Sequence, residues 1–311
     1  MPGTALVLSG GGAKGAFQIG AERYAREVCG YRWDVIAGVS VGALNAAMLG
    51  AGRPERLHDI WQNITNEQVY TGTLNVWTAL KLLLGSRRAV YDNTPLQQLV
   101  ERELRDVSFP SHMHVRVGAV SLLTGEYAIF TPHDPAFIRA VIASATMPIV
   151  WPPLDVSDTW PQMVDGGLRN ISPLGDVLDF DPDDVVIINC SPRQPSSLDE
   201  APRNIIDVAK RALLDIALNE IFVTDLREFL RINELVGQAE RVGVILRKRD
   251  GRPYRHYRCH IIEPAEPLGD TLDFSSRSIR RSMAAGWEMA KSVLGSLGAP
   301  SPSSVWVMGN R

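Results

Sequence analysis

The stretch Asp34-Val35-Ile36-Ala37-Gly38-Val39-Ser40-Val41-Gly42-Ala43-Leu44-Asn45-Ala46-Ala47 decides how this chain is to be read. Its apolar opening, Val35 to Ala37, suits a buried strand, and its alanine-rich close suits a helix. Between them stands G-x-S-x-G, from Gly38 to Gly42. A serine at the tip of a strand–turn–helix has its hydroxyl pushed out of the backbone. Glycines flank it because a larger residue would collide with the neighbouring chain in so tight a turn. The helix that follows aims its first N–H groups at whatever sits beside the serine. This is the pattern of a nucleophile elbow, and it implies hydrolysis or transfer of an acyl group at Ser40.

Outward from the elbow, strand-like and helical segments alternate. Thr4 to Leu8 is a short apolar strand, and a helix is expected from Ala16 to about Val28. A second helix starts at Arg53-Pro54-Glu55 and carries Leu57, Ile60 and Trp61 on one face. His114 to Val120 and Tyr127 to Phe130 read as strands joined by a turn at Thr124-Gly125-Glu126. Pro135 to Ala145 is helical and stops before Pro148. Asp184 to Cys190 is a β-rich run of the kind found in a central strand. Arg203 to Gln238 is helical, Arg255 to Ile262 a late strand and Ser275 to Leu294 a final helix. Such alternation predicts an α/β fold of three layers, a mostly parallel central sheet with helices on both faces. There is no internal repeat and no dividing linker. Residues 1–295 are therefore expected to form one unit, with 66–92 as a candidate lid or cap segment. The Gly-, Pro- and Ser-rich tail 296–311 is expected to be flexible.

A chain of 311 residues, 45% hydrophobic and 22% charged, has the composition of a globular protein with a sizeable core. A net charge of −3 gives no global attraction to nucleic acid, so none is expected as a partner. The three cysteines, Cys29, Cys190 and Cys259, are scattered and never form a C-x-x-C pair. That argues against a disulfide framework or a zinc site and for a reducing compartment. The N-terminus lacks the basic start of a signal peptide, and no near-continuous apolar run of 20 residues exists. A cytoplasmic protein, peripheral to a membrane at most, is the expectation. No acidic cluster resembles a calcium loop, and neither metal nor cofactor is expected.

Two further motifs bear on the elbow. Gly10-Gly11-Gly12 closes the first strand, and successive glycines let backbone N–H groups converge on one concave spot, which suits an oxyanion. The competing reading is a phosphate- or nucleotide-binding loop over Gly10 to Gly15. It lacks the Ser or Thr that follows the lysine of a P-loop, and no acidic residue ends a second strand as a dinucleotide site requires. The other motif is Val164-Asp165-Gly166-Gly167, which on its own reads as a turn.

Together these residues resemble the patatin-like phospholipase family. The glycine-rich loop is Gly10 to Gly15, the elbow Gly38 to Gly42, the Ala-Ser-x-x-x-Pro stretch with its paired prolines Ala143 to Pro153, and the Asp-Gly-Gly box Asp165 to Gly167. Leu272 to Ser275, Ile279 to Arg281 and Gly286 to Glu288 are similar to the closing helix of bacterial members. The resemblance implies a patatin-like fold and a lipid acyl hydrolase that works through a Ser–Asp dyad: Ser40 as nucleophile and Asp165 as base. Gly10, Gly11 and Gly12 would form the oxyanion hole, and Gly38, Gly42, Gly166 and Gly167 would support the motifs. Lys14, where many members carry arginine, is the candidate head-group contact, without the bidentate geometry that arginine offers to phosphate. None of the six histidines falls in a motif expected of a base, with His133 the one to check. An acyl-enzyme resolved by an alcohol or thiol would make the protein an acyltransferase instead.

The expected partner is a lipid or other acyl ester. Trp77, Leu80 and Leu84 fall on one face of the segment Leu74 to Gly85, which suits either an interfacial lid or a buried helix. Arg247 to Arg258 holds six basic residues around an Asp250-Gly251 turn, as expected of a solvated hairpin.

Overall fold

The computed structural model of the chain describes residues 3–73, 88–193, 201, 202, 208 and 211–295. The apolar segment 74–84 and the tail 296–311 lie outside the described residues. Within them, seven strands form one sheet: β1 (Thr4–Leu8), β2 (Val35–Val39), β3 (His114–Ser121), β4 (Tyr127–Phe130), β5 (Met163–Asp165), β6 (Asp184–Ile188) and β7 (Arg258–Ile262). The order is β4-β3-β2-β1-β6-β7, with β5 also beside β3. Strands β1, β2, β3, β6 and β7 run parallel, whereas β4 and β5 run antiparallel to β3.

Among the described residues the α-helices include α1 (Ala16–Glu27), α2 (Val41–Gly50), α3 (Pro54–Asn63), α4 (Asn66–Val69), α5 (Thr94–Leu104), α6 (Phe137–Ser144), α7 (Gly175–Leu178), α8 (Leu218–Arg241) and α9 (Ser276–Leu294). Alternate strand residues feed two separate cores. Leu6, Leu8, Ile36, Val117 and Ile188 pack with Phe17 of α1, Met48 of α2 and Ile279 of α9. Ala5, Val7, Val35 and Ile187 point the other way, against Val177 of α7 and Phe222 and Leu226 of α8. Strands covered on both faces read as continuous apolar runs rather than alternating ones, as β1 and β6 do. The result is the three-layer, mostly parallel arrangement expected from the sequence.

The closing helix docks on α1 backbone to backbone. A Cβ on Gly286 would lie 1.9 Å from the Phe17 carbonyl oxygen, so only glycine permits the approach. Within the long helical stretch Val208 is helical, and a π turn over Arg211–Ala217 runs into α8; the expected start at Arg203 lies outside the described residues. One boundary differs from expectation: the last strand starts at Arg258 rather than Arg255. Asn233 explains this: its side chain donates to the Tyr257 carbonyl at 2.8 Å and accepts from the Tyr257 N–H at 2.7 Å, which removes Tyr257 from the ladder.

Because five strands run parallel, their C-terminal ends share one edge. The glycine loop after β1, the elbow after β2 and Asn189-Cys190 after β6 all emerge there, where open α/β sheets form their clefts. The basic hairpin, closed by an Arg247–Pro253 bridge, precedes β7 and therefore sits towards the opposite edge.

Candidate active site

The elbow is as tight as its glycines suggest. Ser40 has φ 58° and ψ −130°, a conformation that non-glycine residues rarely adopt. A Cβ on Gly38 would lie 2.1 Å from the Gly42 carbonyl oxygen, and one on Gly42 2.2 Å from the Leu8 carbonyl oxygen. The strained turn is anchored from outside: the Ser40 N–H donates to Ser144 Oγ, at the end of α6, over 3.0 Å.

Asp165 reaches the elbow by a simple piece of sheet geometry. Strand β2 pairs with β3 until Val39 lies opposite Gly118, then leaves the sheet at Ser40. Strand β5 takes over the vacated edge one residue later, with Asp165 opposite Ala119. The two chains thus meet head to head along β3. The Ser40 hydroxyl donates to Asp165 Oδ2 over 2.6 Å, and the Gly167 N–H donates to Oδ1 over 2.8 Å. The Asp165 N–H is held by the Thr146 carbonyl at 2.9 Å. Asp165 is only 7% exposed. Burial pushes its carboxyl up to about 6, and the Ser40 and Gly167 hydrogen bonds only partly counter that. A carboxylate of that strength is still ionised at neutral pH yet far more basic than an ordinary aspartate.

The glycine loop splits the expected donors. The Gly10 N–H donates to the Ile171 carbonyl at 3.0 Å, so Gly10 lines the site but offers no free donor. This corrects its placement in the expected oxyanion hole: the loop spends that N–H on fastening itself to the segment after the Asp-Gly-Gly box. The Gly11 and Gly12 N–H groups have no acceptor among the described residues, and Gly11 lines the cleft. Gly12, at φ 57°, faces the Thr271 backbone, where a Cβ would lie 2.3 Å from the carbonyl oxygen.

A buried polar relay fixes this loop to the elbow helix. Gln18 donates to the Ser9 carbonyl at 2.7 Å, Asn45 to Gln18 Oε1 at 2.8 Å and Trp61 to Asn45 Oδ1 at 2.9 Å. Gln18 and Asn45 are wholly buried, so each partner matters.

Ser40 and Asp165 open into a cleft of about 420 Å³. Gly11 and Lys14 line one side, Met147 and Ile149 another, and Ile221 and Phe222 of α8 a third. Ile149 is 64% exposed and has φ 73°, a strained conformation for a β-branched residue. Cys190 also lines the cleft, but burial holds its thiol up at about 12, which leaves it unreactive. None of the six histidines, all of them described, lines the cleft; His133 is exposed in a turn.

The structure therefore brings together Ser40, Asp165, Gly10, Gly11 and Lys14 around one cleft, with Gly38, Gly42, Gly166 and Gly167 packed behind. Sequence reading missed Ser144, Thr146, Asn45 and Gln18. Ser144 stands inside a motif that was recognised, so its hydroxyl was the available signal.

The sequence matches the family model described as patatin-like phospholipase over residues 6–178. That span includes the loop, the elbow and the Asp-Gly-Gly box and ends before α8. No curated protein matches the chain. Among solved structures, VipD from Legionella pneumophila aligns at TM-score 0.48 and 12% identity, covering 95% of this chain and 67% of that one. The type III effector protein ExoU aligns at TM-score 0.42 and 14% identity, covering 94% of this chain and 52% of that one. ExoU of Pseudomonas aeruginosa in complex with SpcU aligns at TM-score 0.34 and 17% identity, covering 73% of this chain and 52% of that one. The chain thus spans between about half and two thirds of those proteins' lengths.

Proposed function

The chain belongs to the patatin-like phospholipase family, and from that premise we propose that it hydrolyses lipid acyl esters through a dyad of Ser40 and Asp165. The observation that carries this reading is the 2.6 Å hydrogen bond from the Ser40 hydroxyl to a buried, basic carboxylate.

The reaction runs in two halves. Ser40 Oγ attacks the ester carbonyl carbon while its proton passes to Asp165 Oδ2. The tetrahedral oxyanion accepts hydrogen bonds from the free N–H groups of Gly11 and Gly12. Collapse breaks the bond to the alcohol, which leaves with the proton from Asp165, and an acyl-enzyme remains. Water then enters, gives its proton to Asp165 and attacks the acyl carbon. Ser40 departs with that proton, and a fatty acid is released.

Gly167 keeps Asp165 oriented throughout, and Ser144 keeps the elbow closed. Lys14 lines the same cleft and is suited to an anionic head group as a point charge. Among the described residues no helix is long and apolar enough to cross a membrane, so the protein would meet its lipid at the bilayer surface. The test is a panel of phospholipids, lysophospholipids and short-chain esters given to the pure protein beside Ser40→Ala. Fatty acid release by the wild type and not by the variant supports the reading; equal release by both overturns it.

A further inference from the structure

A second cleft, of about 540 Å³, lies on the α8 face of the sheet and shares no lining residue with the first. The two are separated by common walls. In the segment after the Asp-Gly-Gly box, Leu168 and Ile171 line the Ser40 cleft while Arg169, Asn170 and Ser172 line the second. Along α8, Ile221 and Phe222 face the first, and Asp225, Phe229 and Ile232 the second. The volume falls in the range of about 300–1,000 Å³ usual for small-molecule sites.

The lining is apolar and aromatic over Leu174, Leu178, Phe229, Ile232, Tyr254 and Tyr257. Its charges do not cancel. Arg255 is taken up by Asp183 at 2.5 Å, and Glu228 by Arg231 at 2.7 Å. Among the described residues the Arg169 guanidinium reaches only the Gly125 carbonyl, at 2.8 Å, and the Lys248 ammonium stands 5.8 Å from the Tyr254 ring centroid. No carboxylate among the described residues comes within ion-pair distance of either cation; Asp250, which acts on Lys248 from further off, is held by Arg252 at 2.8 Å. The remaining acid, Asp225, has its carboxyl raised from the usual range by partial burial. Two cations with no carboxylate at ion-pair distance among the described residues therefore stand over an apolar floor, with Asp225 as the lining acid that no ion pair takes up.

We propose that this cleft binds an anionic amphiphile, a phosphate or carboxylate head on a hydrocarbon chain, at a site separate from Ser40. The head pairs with Arg169 and Lys248, and the chain lies against Phe229, Ile232 and Leu178. An uncharged amphiphile would leave both cations unanswered, and a free inorganic anion would leave the aromatic floor uncovered. The inference stands apart from the hydrolase reading, because neither Ser40 nor Asp165 takes part in it.

The experiment is isothermal titration of the full chain with dodecyl phosphate, with dodecanoate and with uncharged dodecyl maltoside, each below its micelle concentration. The wild type and the double variant Arg169→Glu/Lys248→Glu are compared, with Ile232→Arg as an independent block of the apolar floor and Lys248→Ala as a milder change. Circular dichroism checks folding. At least one anionic ligand should bind the wild type and lose affinity tenfold or more in both blocked variants, while dodecyl maltoside shows no charge-dependent loss. Binding of the phosphate alone would identify a lipid phosphate as the source, and binding of the carboxylate alone a fatty acid. The same isotherm in wild type and double variant, or no binding of either anion, overturns the proposal.

Discussion

Ser40 and Asp165 lie 125 residues apart in the chain, yet the hydroxyl of one donates to the carboxylate of the other over 2.6 Å. The pairing follows from β3. One edge of that strand is shared in succession by β2 and β5, which run in opposite directions and end against each other. The proposed nucleophile and its proposed base are therefore placed by main-chain register, with little left to side-chain freedom.

The proposed dyad sets a pH dependence. If ionised Asp165 is the base, kcat/KM falls as pH drops through about 6, because the protonated carboxyl cannot take the Ser40 proton. A pH–rate profile on a soluble ester should show a single-proton acid limb near that value. A limb near 4 would mean that Asp165 is an ordinary carboxylate in the free enzyme.

Stability should move in the opposite sense. The folded carboxyl of Asp165 is raised to about 6 from 3.8, so the native state binds more protons between those values. That contribution to stability is fully present below about pH 4 and lost as pH rises through 6. At about 1.36 kcal/mol per pKa unit it is on the order of 3 kcal/mol. Asp176, buried against Tyr127, is raised to about 6 as well and adds a similar slope. Urea unfolding of Asp165→Asn between pH 4 and 7 should therefore show a shallower dependence than the wild type, though not a flat one. An unchanged slope would contradict the burial argument.

Ser144→Ala removes the acceptor for the Ser40 N–H and leaves that buried donor unpaired. The expected cost is about 1–3 kcal/mol in unfolding free energy. Turnover should fall while KM changes little, since Ser144 does not line the cleft. Denaturant melts and steady-state kinetics read both effects; a variant with normal kcat would show that the elbow holds its shape without this anchor.

Asn45→Leu breaks the relay that joins Trp61, Gln18 and the Ser9 carbonyl. Three buried groups, the Gly15 carbonyl, Gln18 Oε1 and the Trp61 indole N–H, lose their hydrogen bonds to Asn45 at once, so about 2–5 kcal/mol of stability should disappear in a urea melt. Activity should suffer beyond that, because the relay holds the loop that carries Gly11. Stability within about 0.5 kcal/mol of the wild type, the usual range of a surface substitution, would argue that water replaces Asn45.

Much of this site was legible in the chain because glycine leaves a plain trace. Gly38, Gly42, Gly10 and Gly167 stand where a Cβ would strike backbone or a packed side chain, and their spacing marks the motifs. Strands β1, β2 and β6 were readable because burial on both faces demands unbroken apolar runs. Strand β5 was not: three residues, Met163 to Asp165, are too few to show any period, and their pairing depends on where β2 stops. The commitment of the Gly10 N–H was likewise hidden, since its acceptor, Ile171, arrives from a distant segment. The supporting residues Gln18, Asn45 and Ser144 lie in helices whose pattern is satisfied without them. The segment 74–84 lies outside the described residues, and its role as lid or core is untouched by these findings.

The central claim is that Asp165 draws the proton from Ser40. The most direct measurement is the rate at which a fluorophosphonate modifies Ser40, followed by intact mass and peptide mapping, in wild type and in pure, folded Asp165→Asn. The account predicts one label per chain, on Ser40, formed at least about 10²-fold more slowly in the variant, in keeping with the loss of a general base. Equal labelling rates in the two proteins, or a label on any other residue, would contradict it.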